Sequence, residues 1–339
     1  MAKNKNNNMK KIKFKILLPL LILLAACENY VTDFKLRDTQ IKLVINGMVS
    51  PDSIIIQLTK SMKINEFIYY YPTEQGLSHV NIDNAIVKLF ENGTEIGNLL
   101  YKEKTISSEQ EYDNYSYTLG YYTLNGFIPK EGATYRIEAE ADGYPKVYAS
   151  AAIPIIPESI KIDTLSRVHN SFERSGIFEF IPEIINNNGR KNYYAFSIPN
   201  QLFQYEYLRD CYFNTFSKAQ IEFQSNWGYF SIPNDMFEEE YYSAQYYFVS
   251  DKGLSSEPLC LNFFIEKIWL DYIDGDSFEL KIDFLDEGYY NHLLSLARWN
   301  SSAGIEFFSE GVSIYSNVVN GLGVFGAKNS YRYKLCDIK

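Results

Sequence analysis

Histidine is scarce in this chain. His79, His169 and His292 are the only three among 339 residues, and they lie in distant segments. No H-E-x-x-H pair can be built from them, which excludes a helix-borne zinc centre. Cysteine is nearly as rare: Cys27, Cys211, Cys260 and Cys336 stand far apart, with no C-x-x-C pair and no Cys/His spacing, so the pattern argues against structural zinc. A G-x-S-x-G elbow, a P-loop and a dinucleotide fingerprint are all missing. The expectation is of a protein without a cofactor, a bound metal or catalytic residues. Basic charge is also in deficit, 32 Lys and Arg against 42 Asp and Glu. Such a balance opposes nucleic-acid binding, which rests on neutralising phosphates.

A long apolar run is missing too. From Ile16 to Ala26 every residue is apolar or proline, but that is eleven residues, where a spanning helix needs roughly 20. Lys3, Lys5, Lys10, Lys11, Lys13 and Lys15 precede the run, with no acidic residue. A basic start, a short apolar stretch and small closing residues form a secretory signal peptide. Its end, Leu24-Ala25-Ala26-Cys27, resembles a bacterial lipobox, in which the chain is cut before the cysteine and the cysteine receives acyl chains. Residues 1–26 are read as the signal and Cys27 as the lipidation site. Each buried CH₂ of an acyl chain adds about 0.8 kcal/mol, so several chains anchor a folded domain. Cleavage would remove six of the 32 basic residues and no acidic one, leaving 26 against 42, a net charge of −16. The lipid, rather than electrostatic attraction to anionic headgroups, must then hold the protein to the membrane. An envelope location permits a disulfide. Cys211 with Cys260 is the favoured pair, and three buried thiols are the alternative.

Residues 27–40 are polar and aperiodic and read as a tether. From residue 41 to 157, short β-branched and aromatic runs alternate with turn residues, the signature of strands. Asn92-Gly93 between two such runs is a hairpin signal, because both positions tolerate positive φ. About seven strands at this spacing predict an antiparallel sandwich of immunoglobulin or fibronectin type. Pro154-Ile155-Ile156-Pro157 then marks a boundary, since proline cannot continue a central strand. Residues 158–339 read as a second strand-rich domain. Within it, Glu287 to Trp299 places Tyr289, Leu293, Leu296 and either Ala297 or Trp299 on one helical face. It is the one helix the sequence predicts, near 288–299, and His292 reads as a partly exposed, satisfied residue on it. The glycines of residues 320–328, "NGLGVFGAK", predict a mobile or tightly turned backbone. Asp271, Asp274 and Asp276 lack the spacing of a calcium loop and read as a hairpin turn, and "EEEYY" at 238–242 as a solvated loop face.

Aromatics are plentiful: 29 Tyr and 23 Phe. Most fit sheet faces, which tyrosine favours intrinsically. Phe67-Ile68-Tyr69-Tyr70-Tyr71-Pro72 is the exception, because it precedes a polar, loop-like stretch. Neighbours in an extended chain point to opposite sides, so these groups cannot all face one core. Phe67, Tyr69, Tyr70 and Tyr71 are the candidate surface for a partner or ligand, either a glycan or a peptide.

Several stretches recur together and in this order in one family: the lipobox, "KLVINGMVS", "VNIDNAIVKLFENG", "GATYRIEAEADGY" followed by "ASAAIP", "YYNHLLSLARW" and "IYSNVVNGLGVFGAK". The chain resembles the Bacteroidetes lipoproteins known as domain of unknown function 4249, over nearly all of its length after the signal. The match is weakest between about 200 and 270, and most specific at 320–327. The resemblance implies an outer-membrane lipoprotein found beside TonB-dependent transporters, and it carries over no catalytic residue. Surface-facing lipoproteins of that phylum often bear an acidic cluster after the lipidated cysteine, and here only Glu28 and Asp33 follow. A surface-exposed orientation is nevertheless the favoured one over a periplasm-facing one. Asp52-Ser53-Ile54 and Asp163-Thr164-Leu165 resemble that phylum's O-glycosylation acceptor, making Ser53 and Thr164 candidates.

The sequence is therefore read as mainly β, non-enzymatic and lipid-anchored, an accessory to a TonB-dependent barrel in nutrient binding or uptake. The alternatives are a structural or adhesive envelope lipoprotein and a polymer-degrading hydrolase. The last needs two carboxylates roughly 5 to 9.5 Å apart, a distance that sequence does not encode visibly.

Overall fold

The computed structural model describes residues 40–62, 80–110, 113–168, 176–185, 191–197, 212–215, 221–224, 246–251, 258–266, 279–302 and 313–334. Strands come first: β1 (Leu43–Val49), β2 (Ile54–Lys60), β3 (Ile86–Glu91), β4 (Thr94–Asn98), β5 (Leu100–Gln110), β6 (Asp113–Thr123), β7 (Thr134–Glu140) and β8 (Val147–Ala152). After the proline pair follow β9 (Ile160–Val168), β10 (Gly176–Ile184), β11 (Tyr193–Ser197), β12 (Tyr212–Thr215), β13 (Ile221–Gln224), β14 (Tyr246–Ser250), β15 (Leu259–Glu266) and β16 (Glu279–Leu285). Helix α1 (Glu287–Ser302) and strand β17 (Leu322–Lys334) end the series. The architecture is mainly β, in several sheets with one helix among the described residues.

One sheet has nine strands in the order β13-β14-β11-β16-β17-β1-β2-β6-β5, and two have four, β4-β3-β7-β8 and β12-β15-β10-β9. Every named pairing is antiparallel except that of β1 with β17. The β-branched alternation of β1 and β2 places Leu43, Ile45, Ile56 and Leu58 on one face. They share a core with Val87, Leu89, Ile137, Val147 and Ala149 of the facing four-stranded sheet. This is the expected sandwich, closed by interdigitating inner faces.

Two details of that sandwich follow local chemistry. Asn92 and Gly93 turn the β3–β4 hairpin with φ of 48° and 85°, as an Asn-Gly loop should. The run after this turn is not one strand. It divides at Leu99, whose backbone N–H donates to Val87 O at 2.8 Å, so β4 stays in the four-stranded sheet and β5 crosses to the nine-stranded one. The sandwich segment therefore has eight strands where about seven are expected.

The sheets do not respect residue 157. Pro154–Pro157 lies between β8 and β9, as the proline pair requires, yet β17 pairs with β1 and places Phe325 and Ala327 in the sandwich core. Ile41–Lys339 forms one unit. The opposite face of β17 contributes Val324 to a second core under α1, with Tyr193, Ala195, Phe248, Leu285, Tyr289, Leu293 and Ala297. The helical stripe therefore runs through Ala297 at three-to-four spacing, and Trp299 stays 47 % exposed. His292 is satisfied, as expected, because its Nδ1 lies 2.6 Å from Tyr315 O. It is buried, however, rather than partly exposed.

Candidate functional site

Cys27, the Phe67, Tyr69, Tyr70 and Tyr71 segment, Cys211, Cys336 and the aspartates at 271, 274 and 276 lie outside the described residues. Three of the singled-out positions are inside them. Ser53 closes the β1–β2 hairpin: Ser50 N donates to its carbonyl at 2.9 Å, and Asp52 beside it is exposed. Thr164 lies within β9, an edge strand, opposite Phe180 of β10. Cys260 sits on β15 opposite Glu183 and is a free thiol in the structure. Burial first, and the Glu183 charge second, push its pKa up. That disfavours the reactive thiolate.

The most concentrated polar chemistry lies where the sequence gives least sign of it. In "ELKIDFL" of β16 polar and apolar residues alternate, a pattern that does not by itself say whether the polar face meets water. The register sets Lys281, Asp283 and Leu285 beside Ser197, Ala195 and Tyr193 of β11 and beside Arg332, Ser330 and Lys328 of β17. This is the face on which α1 packs, and Ser197, Lys281 and Asp283 are only 1 %, 4 % and 0 % exposed. Lys281 Nζ stands 3.7 Å from Asp283 Oδ2, while Ser330 Oγ donates to Asp283 Oδ1. Among the described residues, Asp283 Oδ2 and Ser197 Oγ have no hydrogen-bond partner. A buried ion pair recovers its desolvation cost only with good hydrogen bonding, so this braced pair is a costly feature to keep. A one-residue slip of β16 would exchange Lys281 and Asp283 with Ile282 and Phe284. The pair contains neither histidine nor thiol, and its chemistry is that of a polar register mark inside the sheet.

A second cluster begins where β16 turns into α1 and stops covering the edge of β17. Asp286 takes over: its N–H donates to Ala327 O at 3.0 Å, and its carboxylate accepts from Ala327 N. The same carboxylate caps the helix, accepting from Gly288 N at 2.9 Å and Tyr289 N at 3.4 Å. Burial pushes its pKa up to about 7, against the pull of these three amide donors. Asn317 continues the edge like a short strand. Its Oδ1 accepts from Phe325 N at 3.0 Å and its Nδ2 donates to Phe325 O at 2.8 Å. At the helix start, Tyr193 OH donates to Glu287, and Lys191 lies 3.5 Å from Glu287 and 4.4 Å over the Tyr193 ring.

The same cluster accounts for the glycine-rich run at 320–328. It is tightly turned at Asn320, with φ of 62°, and then extends into β17 rather than staying irregular. Gly323 has φ of 94°, and a Cβ there would lie 2.0 Å from Ile45 O of the parallel partner. At Gly326 a Cβ would lie 2.3 Å from the Tyr289 ring. Asn320 Nδ2 donates to Lys146 O at 3.1 Å, and Asn329 Nδ2 donates to Glu131 at 2.8 Å and to Pro154 O at 3.0 Å. This run threads β17 between sandwich and helix, and its role is architectural. Of these residues, Asp286 is passed over by the sequence reading, although an acidic residue directly ahead of a helical stripe is a signal that could find it. Asn317, Asn329 and the Lys281–Asp283 pair carry no such local signal. Among the described residues, no three His, Cys, Asp or Glu side chains are grouped to hold a metal ion.

Fold and clusters together define a β-sandwich scaffold whose most specific residues hold its C-terminal strand in place. The family model described as "Domain of unknown function (DUF4249)" matches residues 29–334, and the chain belongs to that family. No curated protein matches the sequence.

Proposed function

We propose that the protein is a non-enzymatic lipoprotein of Bacteroidetes type, anchored to the outer membrane through acyl chains on Cys27 and serving a TonB-dependent transporter in nutrient binding or uptake. The observation that carries this reading is Leu24-Ala25-Ala26-Cys27 closing an eleven-residue apolar run, with the family match starting at residue 29. Residues 27–40 would serve as a tether. Fourteen residues at about 3.3 to 3.6 Å each reach roughly 50 Å at full extension. Confinement near the membrane raises the effective concentration of a partner barrel without a strong interface. Phe67, Tyr69, Tyr70 and Tyr71 are the proposed contact for that barrel or its cargo, a glycan or peptide. The surface-facing side of the membrane is the favoured location. Of the two proposed O-glycosylation acceptors, Ser53 lies at a hairpin tip, half-buried beside an exposed Asp52.

Two variants test the reading. Cys27→Ser should abolish fatty-acid labelling and release the protein from the membrane fraction or leave an unprocessed precursor. Unchanged labelling would refute the lipobox. Replacing Tyr69, Tyr70 and Tyr71 together by serine should leave the melting temperature unchanged and abolish co-purification with an outer-membrane barrel. Interface tyrosines typically lose at least about 2 kcal/mol on truncation. A large fall in melting temperature would make these rings core, and failure of the wild-type protein to co-purify with any barrel would favour the adhesive alternative.

A further inference from the structure

Asparagine followed by glycine occurs five times, at Asn46, Asn92, Asn125, Asn188 and Asn320. Asn188 lies outside the described residues. Such a pair is chemically exposed, because the glycine nitrogen can reach the asparagine side-chain carbonyl with no β-carbon in its way. The fold treats the four described pairs differently. Asn46 lies inside β1, its Nδ2 donating to Gln57 Oε1 at 3.3 Å, and Gly47 is paired with Ile56 in the ladder. Asn92 is held to β7 at both ends: its Oδ1 accepts from Thr134 N at 2.9 Å and its own N–H donates to Thr134 O at 2.8 Å. Asn320 Nδ2 donates to Lys146 O. In each case the side chain must leave a partner on a separate segment before it can turn toward the next amide.

Among the described residues, the Asn125 side chain is held neither by another segment's backbone, as Asn92 and Asn320 are, nor by an amide inside a strand ladder, as Asn46 is. It is exposed, in the turn after β6 that Phe127 N closes on Leu124 O at 3.4 Å, and Gly126 has φ of 70°. Its Oδ1 accepts a hydrogen bond from the ammonium of Lys102, a side chain of β5 rather than a strand backbone. A cation on a carbonyl oxygen stabilises the negative charge that develops there when the carbon is attacked.

We propose that Asn125 is a site of spontaneous deamidation, selected among the four described Asn-Gly pairs by an exposed turn in which its side chain meets the Lys102 ammonium, and promoted by that ammonium. The Gly126 nitrogen forms a bond to Asn125 Cγ and loses its proton. The bond from Cγ to the side-chain nitrogen breaks, and that nitrogen leaves as ammonia with the proton. Water then opens the five-membered imide at either carbonyl, giving aspartate or isoaspartate. Either product places a carboxylate beside Lys102, and isoaspartate also adds a methylene to the backbone between β6 and Phe127. The proposal is independent of where the protein is anchored.

The test is peptide mapping by mass spectrometry of the full-length protein held in mildly alkaline buffer, folded and in concentrated urea. In the folded protein the Asn125 peptide should gain the mass of an amide-to-acid exchange several-fold faster than the Asn46, Asn92 and Asn320 peptides. In urea the four should converge. Equal rates in the folded protein, or an Asn125 peptide that stays intact there, would overturn the site. Lys102→Met should slow Asn125 several-fold and leave Asn92 unchanged, and an unaltered Asn125 rate would overturn the part given to Lys102. Asn125→Gln, whose longer side chain disfavours the ring, should stay unmodified.

Discussion

Asp286 does two jobs with one carboxylate, and the jobs pull its protonation in opposite directions. Three backbone amides favour the charged form, while burial, the larger influence, disfavours it and raises the pKa to about 7. The unfolded chain releases this proton near the ordinary value of 3.8. Between those two values the folded state binds more protons, so this residue's contribution to stability falls as pH rises and is flat above about 7. His292 works the other way. Burial lowers its pKa from 6.5, so the unfolded state takes up the proton first and stability is lost as pH falls below that value. Asp286→Asn keeps an amide-accepting oxygen for the cap and has no charge to bury. Its melting temperature should therefore decline less than the wild type's as pH rises from about 4 to about 7. Asp286→Ala, which strands the Ala327 and Gly288 amides, should lose about 1 to 3 kcal/mol at a pH of about 4, and less as pH rises toward about 7 and the wild type loses its own advantage. Parallel pH profiles for wild type and Asp286→Asn would show that Asp286 titrates normally.

At the scale of elements, what was legible in the sequence was whatever short-range chemistry decides. Asn92-Gly93 marks its hairpin because φ must be positive there, and the Tyr289–Leu293–Ala297 spacing marks α1. Less was legible where distant segments decide. The alternation in "ELKIDFL" is a correct strand signal, but whether its polar face meets water depends on α1 and β11, which arrive from elsewhere. The division of β4 from β5 at Leu99 likewise depends on Val87. In the glycine run, an irregular segment and a strand squeezed between neighbours look alike, because both need residues without a Cβ. Gly326 separates them. Alanine there would press on the base of the Tyr289 ring, not on a flexible tip, and should cost about 1 to 3 kcal/mol. In the Tyr289→Gly background, which also removes the Tyr289 Cβ lying 2.5 Å from the added carbon, the same change should cost much less, giving a measurable coupling in a double-mutant cycle by urea denaturation. Simple additivity would mean that the helix does not rest on this glycine.

For the whole molecule, the consequential fact is that the last described strand completes the first sandwich. β17 lies between β1 and β16 and serves two cores, Phe325 and Ala327 facing the sandwich and Val324 facing α1. Proline placement and strand spacing suggest a sandwich that ends at residue 157, and the eight strands before that point do build both of its faces. Yet without β17 the inner edge of β1 loses six paired positions, Val44 to Val49, and the core loses a fully buried phenylalanine. Removal of such a side chain alone costs about 3 to 5 kcal/mol, a large share of the roughly 5 to 15 kcal/mol that holds a domain together. The isolated segment 41–157 should therefore fail to give a cooperative thermal transition by circular dichroism. A synthetic peptide spanning residues 320–334, which carries the turn and the whole of β17, should restore one when added in excess, with a midpoint that rises with peptide concentration. A cooperative transition in 41–157 alone would show that the sandwich closes without its C-terminal strand. Restoration by a peptide with Phe325→Ala equal to that by the native sequence would show that this ring does not hold the strand in place.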